Sequence, residues 1–345
     1  MNNLINKQSN ELLQNSNCFD FIRYIFTISV IIAHFCELSN TKEFWFISST
    51  TGVKAFFIMS GFLIFYSYIK KQDLKYYIQK RVRRILPPYI AVIVLFTIIG
   101  IFITELNWKD YITNKDTYKY LIANLSFLNF IQPTLPGVFE SNPITAVNGS
   151  LWTMKVEVMF YVSAPIILYL LKKYKKIFII TSIFLFALLY NFCFTILYEQ
   201  TNNEIYLLIR KQIGSQLIYF YSGTFILLYF DKFIKYLKYF FPIAIIIFFY
   251  QDSNVVFSVL EPLSFATILI GAAYHIKYLN IFRKYDNVSY GMYLYHYPII
   301  QTIVYYDIQK INIYLAFFLS LILIILVSIL SWKFLEKPII QNKLF

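Results

Sequence analysis

The chain has 345 residues, of which 59% are hydrophobic and 14% charged, with a formal net charge of +13. A soluble domain of this size could not bury so much apolar surface, so the composition predicts an integral membrane protein. Three cysteines, Cys18, Cys36 and Cys193, lack metal-ligand spacing, so we expect neither a disulfide framework nor a zinc or other metal site. The start, MNNLINKQSNELLQNSNCFD, lacks a basic segment and a cleavage site, so no removable signal peptide is predicted.

Ten apolar runs are long enough, or nearly so, to cross a bilayer, which predicts an all-α polytopic membrane protein. They lie at about 21–39, 52–69, 86–104, 151–171, 177–197, 213–230, 236–250, 255–274, 290–306 and 312–334. The run at 236–250 is short and could be tilted or re-entrant. Since no repeat or low-complexity linker divides the chain, one membrane domain over residues 1–345 is predicted.

The basic residues predict the orientation of these helices. With the amino terminus in the cytoplasm, 22 of the 31 Lys and Arg residues fall on the inner side and seven on the outer side. This excess follows the positive-inside rule and places both termini in the cytoplasm. The positive charge therefore reflects membrane topology, and we expect the lipid bilayer and not nucleic acid as a partner.

The first run, FDFIRYIFTISVIIAHF, carries Arg23 and His34 eleven positions apart. At about 1.5 Å per residue, Arg23 falls near the cytoplasm and His34 in the outer third of the bilayer. Ionisable residues inside a membrane are costly and by default mark a functional site. His34 is therefore a candidate catalytic residue, and Glu37, three residues later on the same helix face, is a candidate partner.

The second run and the connection after it have different roles. In FFIMSGFLIFYS, Ser60 and Gly61 predict close helix packing. The connection KKQDLKYYIQKRVRRILPPY is strongly basic, and guanidinium groups bind phosphate through paired hydrogen bonds. Anchoring to lipid headgroups is the alternative role for such a loop. The candidates for holding a phosphorylated cytosolic donor are Arg81, Arg83 and Arg84, and the pair Pro87-Pro88 predicts a bend at the start of the third helix.

The connection at 105–150 is the longest, and it is predicted to lie outside. Its segments QPTLPGVFE and NPITAVNGS are rich in residues that favour turns over helices. A loop of this length is usually functional or disordered. We predict an ordered cap that faces a substrate.

The fourth run places Glu157 at about the depth of His34, with Lys54 and Lys155 in the same outer third. A carboxylate that orients an imidazole and stabilises its charged form suits general-base catalysis, so His34 and Glu157 form the predicted catalytic pair. A structural His–Glu pair that holds two helices together is the alternative. In the ninth run, SYGMYLYHYPI, His296 is counted nearer the inner side, as a donor contact, a second base or an ordinary interfacial residue.

Taken in order, these stretches resemble acyltransferase family 3, the integral-membrane O-acyltransferases that modify bacterial surface glycans. The segment DFIRYIFTISVIIAHF is similar to the family's opening Arg-to-His motif, at Arg23 and His34. Five more segments match in sequence order: FFIMSGFLI, RVRRILPPY, SLWTMKVEVMFY, SYGMYLYHYPI and FLEKP. The chain departs from the family at Lys155, Val158 and Met159, where relatives usually carry a serine, a second acid and a glutamine.

The resemblance implies transfer of an acyl group, usually acetyl from acetyl-CoA, to a sugar hydroxyl at the bacterial cytoplasmic membrane. It implies a stand-alone enzyme without the extracytoplasmic hydrolase-like domain of many relatives. Acetyl-CoA is then the donor substrate, and the acceptor is an O-antigen, a capsule or another surface glycan. His34 and Glu157 would be catalytic, by general-base catalysis or through an acyl-histidine. The residues implied in donor binding are Arg23, Arg81, Arg84 and His296, and those in acceptor binding are Trp152, Lys155 and Asn148.

A second hypothesis comes from another class of protein. A transporter or flippase could use His34 and Glu157 as a proton or substrate relay. Such proteins often contain internal repeats, and none is visible here. The sequence therefore favours the acyltransferase.

Overall fold

The computed structural model describes residue 13 and residues 17–42 and 44–341, and all regular structure in these residues is helical. The long helices are α1 (Phe19–Leu38), α2 (Ser49–Lys70), α3 (Leu74–Ile103), α6 (Trp152–Lys173), α7 (Lys176–Thr201), α9 (Ile213–Leu228), α10 (Phe230–Phe249), α11 (Val255–His275), α12 (Ser289–Tyr305) and α14 (Ile313–Ser331). Shorter helices are α4 (Trp108–Thr113), α5 (Lys115–Leu125), α8 (Ile205–Arg210), α13 (Ile308–Ile311) and α15 (Lys337–Ile340). The all-α membrane fold predicted from composition is confirmed.

Seven of the predicted spans are long and apolar enough to cross a membrane: Phe19–Leu38, Ser49–Lys70, Leu74–Ile103, Gly149–Lys173, Lys176–Thr201, Val255–His275 and Ile313–Ile340. The other three predicted runs are also helical, as α9, α10 and α12. Two of them, α9 and α12, have only 16 and 17 residues, and α10 carries Asp231, Lys232, Lys235 and Lys238. The count of ten spans is thus not confirmed, although each run forms a helix.

Two details differ from the sequence expectations. Helix α3 begins at Leu74, so Pro87 and Pro88 lie inside it and not at its start. The basic stretch before the prolines is rich in Lys, Arg and Gln, which favour helix, so the helix forms well before them. The connection at 105–150 is ordered, as predicted, but it also contains α4 and α5, each of which begins at an Asn cap, Asn107 and Asn114.

The chain forms two compact units. The first unit contains the residues up to Arg23, Val53–Tyr77 and Val156–Tyr285. In it, α2 and α9 pack backbone to backbone: a Cβ added to Gly61 would lie 1.8 Å from the Phe220 carbonyl oxygen, and one added to Gly223 would lie 2.1 Å from the Ile58 oxygen. The close packing predicted for Gly61 is confirmed, because only glycine permits this approach.

The second unit contains Tyr24–Gly52, Ile78–Lys155 and Asp286–Phe345. Its connection at 105–150 is tied to α3 by Tyr111, whose hydroxyl donates to the Thr97 carbonyl at 2.8 Å. Burial raises the pKa of Tyr111, so this hydroxyl keeps its proton at any ordinary pH. Tyr89 in α3 donates to the Asn124 carbonyl at 2.6 Å and stacks on Phe127. The connection is therefore a folded cap held by buried hydrogen bonds.

Candidate active site

Two histidines meet inside the second unit. His34 in α1 and His296 in α12 have ring nitrogens Nδ1 and Nε2 only 2.7 Å apart. The ring planes lie within 14° of each other and the ring centres are 5.0 Å apart, so the two imidazoles meet edge to edge. His296 is fully buried, and His34 is half-buried. The contact joins two residues that the sequence analysis had singled out separately.

The hydrogen bonds assign the protons of this pair. His296 Nδ1 lies 2.7 Å from the Tyr293 carbonyl oxygen, which can only accept, so His296 carries its proton on Nδ1. In a neutral His296, Nε2 is then an acceptor, and His34 must donate to it from Nδ1. This leaves Nε2 of His34 as the basic nitrogen, with no hydrogen-bond partner among the described residues. A histidine held in this tautomer is oriented to take a proton.

His296 therefore does not lie nearer the inner side than His34, as the residue count suggested. The count assumed that both helices begin at one membrane boundary. In the structure His34 is fifteen residues into α1 and His296 only seven residues into α12, yet their rings touch. The two helices consequently begin at different levels, which a count within each helix cannot reveal.

The end of the cap is clamped to α12, the helix that carries His296. Asn148 donates to the Leu294 carbonyl at 2.9 Å and accepts from the backbone and hydroxyl of Ser150. Thr153 is hydrogen-bonded to the Tyr293 hydroxyl at 2.8 Å. Because the amide of Asn148 already holds the cap in place, its role in binding an acceptor stays a prediction.

Further along α12, Gln301 is fully buried and serves the same purpose. Its amide donates to the Ile144 and Ala146 carbonyls at 2.6 and 2.7 Å. Asn142 donates in return to the Gln301 side chain and backbone. These paired hydrogen bonds fix the position of residues 142–148 along the helix. The cap and the histidine helix are thus held together by side-chain hydrogen bonds within the second unit.

Tyr297, one residue after His296, was missed by the sequence analysis. Its ring meets the His34 ring edge to face, with the centres 5.3 Å apart. Gly149 at the end of the cap leaves room for it, since a Cβ there would lie 2.7 Å from the Tyr297 ring. The sequence signal for Tyr297 was weak, because several tyrosines occur in the same helix and nothing in the sequence distinguishes this one.

The remaining predicted catalytic and acceptor residues lie in separate surroundings. Glu157 belongs to the first unit and accepts a hydrogen bond from Tyr161 at 2.6 Å, so its pairing with His34 stays a prediction. Lys155 has its ammonium 4.7 Å from the centre of the Phe130 ring in the cap. Trp152 is half-buried at the start of α6. The acceptor roles of Lys155 and Trp152 are untested.

The basic residues predicted to hold a donor are already engaged in part. Arg84 faces the Glu336 carboxylate at 3.8 Å and lies about 5.5 Å from the ring centres of Tyr290 and Trp332. Glu336 ends a turn of π-helix, Trp332–Glu336, that brings this carboxylate to the guanidinium. Arg23, in the first unit, pairs with Asp20 at 2.6 Å. Arg84 keeps a third of its surface exposed, so it can still contact a ligand.

A second polar cluster, in the first unit, was only partly anticipated. Lys54 in α2 lies 3.3 Å from the Glu261 carboxylate in α11, and Tyr219 in α9 donates to the other oxygen at 2.8 Å. The Lys54 ammonium also lies 4.9 Å from the Tyr219 ring centre. Glu261, 3% exposed, was overlooked, although a single acid in the apolar run VVFSVLEPLSF is a readable signal.

A family profile described as "Acyltransferase domain" matches residues 16–333. The chain is similar to an O-acetyl transferase of Shigella phage Sf6, 24% identical over 339 residues, which are 94% of this chain and 96% of the relative. It is also similar to a candidate O-acetyltransferase of Staphylococcus aureus, 25% identical over 92% of this chain and 56% of that protein.

A more local similarity is to Nodulation protein 10 of Rhizobium leguminosarum bv. viciae, 30% identical over 46% of each chain. The chain thus spans about half of the rhizobial and staphylococcal relatives and nearly all of the phage relative. No solved structure matches.

Proposed function

Because the chain belongs to acyltransferase family 3, we propose that it transfers an acetyl group from cytosolic acetyl-CoA to a hydroxyl of an extracytoplasmic glycan, with His34 as the general base. The observation that carries this proposal is the hydrogen-bond chain from the Tyr293 carbonyl through His296 to His34, which leaves Nε2 of His34 open. An open, oriented imidazole nitrogen is what proton removal from a sugar hydroxyl requires. The proposed location is a bacterial cytoplasmic membrane.

The reaction balances with the groups at hand. The acceptor oxygen attacks the thioester carbonyl carbon while Nε2 of His34 takes the hydroxyl proton, and the carbonyl electron pair moves to its oxygen. When the C=O bond re-forms, the C–S bond breaks and the thiolate of CoA leaves. The imidazolium then returns the proton to that thiolate, so the products are an acetyl ester and CoA. No other reactant is needed.

His296 supports this cycle as a positioning residue. When His34 gains a proton on Nε2, its Nδ1–H becomes a charged donor to His296, and such hydrogen bonds are roughly twice as strong as neutral ones. This hydrogen bond therefore offsets part of the cost of charging a buried His34. In this proposal His296 acts through His34 and not, as the sequence suggested, on the donor.

The residues that bind the donor and the acceptor are proposed from the general chemistry of their side chains. Arg81 and Arg84 are proposed to bind the phosphates of CoA, because guanidinium groups bind phosphate in a paired geometry. The half-buried Trp152 and Lys155 are proposed to contact the acceptor near the cap, since sugar rings stack on aromatic faces and their hydroxyls accept from ammonium groups. The relatives named as O-acetyltransferases support the acetyl group and the ester product.

The test uses the purified protein in lipid nanodiscs with [14C]acetyl-CoA and the glycolipid fraction of the producing cells. The chain has three histidines, and the third, His275, is exposed in the first unit and offers a matched control. We expect His34→Ala to abolish label transfer and His275→Ala to retain it, with equal binding of CoA by calorimetry. Transfer that survives in folded His34→Ala contradicts the general-base assignment. Label that stays on the protein at His34 would instead indicate an acyl-histidine intermediate.

A further inference from the structure

Four tyrosines lie in the first half of α12, and their hydroxyls differ in whether they have a hydrogen-bond partner. The Tyr290 hydroxyl donates a hydrogen bond to the Ile85 carbonyl at 3.2 Å. The Tyr293 hydroxyl is hydrogen-bonded to the Thr153 hydroxyl at 2.8 Å, and the Tyr295 hydroxyl donates to the Ser331 hydroxyl at 3.2 Å. The Tyr297 hydroxyl has no hydrogen-bond partner among the described residues, although the side chain is only 4% exposed. A buried hydroxyl without a partner is costly, and such groups in native proteins call for an explanation.

The position of Tyr297 suggests the explanation. Its ring touches the ring of His34, the proposed base. Gly149 approaches the phenol so closely that a Cβ would lie 2.8 Å from its oxygen, so the ring is confined between the cap and His34. The oxygen itself is not fully enclosed by the protein. The unpaired donor thus belongs to a ring that contacts the ring of the proposed base.

Acyl transfer requires a hydrogen-bond donor at this place. As the acceptor oxygen attacks, the thioester carbonyl becomes a tetrahedral oxyanion, and donors aimed at the developing charge usually supply the largest single part of the catalysis. A donor that is already fixed and desolvated needs no reorganisation when the charge forms. Tyrosine supplies an O–H for this purpose without competing with His34 for the proton, because its ordinary pKa is about 10.

We propose that Tyr297 is a catalytic residue whose hydroxyl donates a hydrogen bond to the oxyanion formed at the acyl carbonyl while His34 takes the acceptor proton. This inference rests on the proposed acetyl transfer and extends it by assigning the oxyanion donor. No bond to Tyr297 forms or breaks, and its proton stays on the phenol throughout. Its contribution is limited to the transition state, where the oxygen carries the charge.

The test compares Tyr297→Phe with Tyr295→Phe in nanodiscs, measuring kcat and KM for [14C]acetyl-CoA with the glycolipid fraction. We expect Tyr297→Phe to lower kcat by about 10²-fold, as loss of one oxyanion donor does, with little change in KM. Its thermal stability should not fall, because the lost hydroxyl has no protein partner. Tyr295→Phe should show the opposite pattern: kcat per folded molecule is kept, and stability falls with the lost bond to Ser331.

Each outcome decides the inference. An unchanged kcat in Tyr297→Phe overturns it, and so does a rise in KM alone, which would show binding of the ground state. An equal loss of kcat in Tyr295→Phe would show that any hydroxyl of this helix matters and would also overturn it. If the wild type binds CoA but transfers no label, the proposed acetyl transfer fails, and the assignment of Tyr297 fails with it. If the wild type transfers the label and Tyr297→Phe does so with the same kcat, only the assignment of Tyr297 is withdrawn.

Discussion

The two units each hold a polar cluster inside apolar helices, and the clusters differ in how their groups are satisfied. In the first unit, Lys54, Glu261 and Tyr219 pair with one another, so both carboxylate oxygens have a partner. In the second unit, the chain of hydrogen bonds through His296 ends at an open nitrogen of His34. The His34 ring also contacts the ring of Tyr297, whose hydroxyl has no hydrogen-bond partner among the described residues. A closed cluster stabilises a fold, whereas open groups of matched chemistry are available to a substrate. Burial of polar groups alone therefore does not identify the site.

The largest effect is expected from breaking the open cluster at its orienting residue. His296→Ala removes the acceptor for His34 Nδ1, so the imidazole loses its fixed tautomer, and we expect kcat to fall about 10³-fold, or about 4 kcal/mol. His296→Gln provides a rescue, because its amide oxygen can accept from His34 at the place of Nε2. Steady-state kinetics on nanodisc-embedded variants measures both. Equal activity of the Ala and Gln variants would argue that His296 only fills space.

That pairing shows where sequence reasoning stops. His34 and His296 were both identified from the sequence, since a charged or titratable residue in an apolar run is conspicuous. Their contact was not, because it depends on the offset between α1 and α12, which no count within one helix contains. The helices themselves were recovered for the same reason that the histidines were: long apolar runs leave little alternative in a bilayer.

The tyrosines of α12 make the same point at a finer scale. Tyr293, Tyr295 and Tyr297 are alike in the sequence, two residues apart each time. Only tertiary neighbours, Thr153 and Ser331, distinguish the bonded hydroxyls from the open one. Glu261 was missed although a single acid in an apolar run is visible in the sequence. Its pairing with Lys54 could not have been read from the sequence, because Lys54 lies in α2, far from Glu261 along the chain. Partner assignments of this kind require the packed structure.

The closed cluster can be broken from one side. Glu261→Ala leaves the ammonium of Lys54 without its counter-ion in a largely buried position, which we expect to destabilise the protein by about 3 kcal/mol. The double variant Lys54→Met with Glu261→Leu should recover most of this loss, since removing both charges leaves no uncompensated group. Thermal unfolding in detergent and kcat per folded molecule are the measurements. A severe loss of kcat in the folded double variant would mean that this cluster also serves the reaction.

Gly149 tests how closely the cap confines the open cluster. Gly149→Ala places a methyl group 2.7 Å from the Tyr297 ring, so either the ring or the cap must shift. We expect a stability loss of about 1–2 kcal/mol from overpacking, together with a fall in kcat because Tyr297 moves from His34. The double variant Gly149→Ala with Tyr297→Phe should then lose little more kcat than Tyr297→Phe loses alone. Fully additive losses in this double-mutant cycle would show that the two positions act independently.

The smallest effect is expected at the exposed ion pair of the second unit, which belongs to neither cluster. Asp286 lies 2.8 Å from Lys337, and the hydrogen bond from Lys337 holds the pKa of Asp286 below its ordinary value. A carboxyl whose pKa is lowered in the folded state stabilises the fold above its unfolded pKa, about 3.9, and this contribution disappears as the pH falls through the lower folded value. Since both side chains are about half exposed, Asp286→Asn should reduce stability at pH 7 by less than about 1 kcal/mol.

Melting curves of wild type and Asp286→Asn should therefore differ slightly at pH 7, approach each other as the pH falls below about 4, and converge only below the lowered folded pKa of Asp286, where the wild-type carboxyl is protonated. The difference should also shrink in high salt, which screens exposed charges. Gly149→Ala, which adds and removes no ionisable group, should melt with the same dependence on pH and salt as the wild type, because Asp286 and Lys337 remain paired in it. A large, salt-independent effect of Asp286→Asn would instead place this ion pair among the closed, buried clusters, and exposure would then be a poor guide to which polar contacts support the fold.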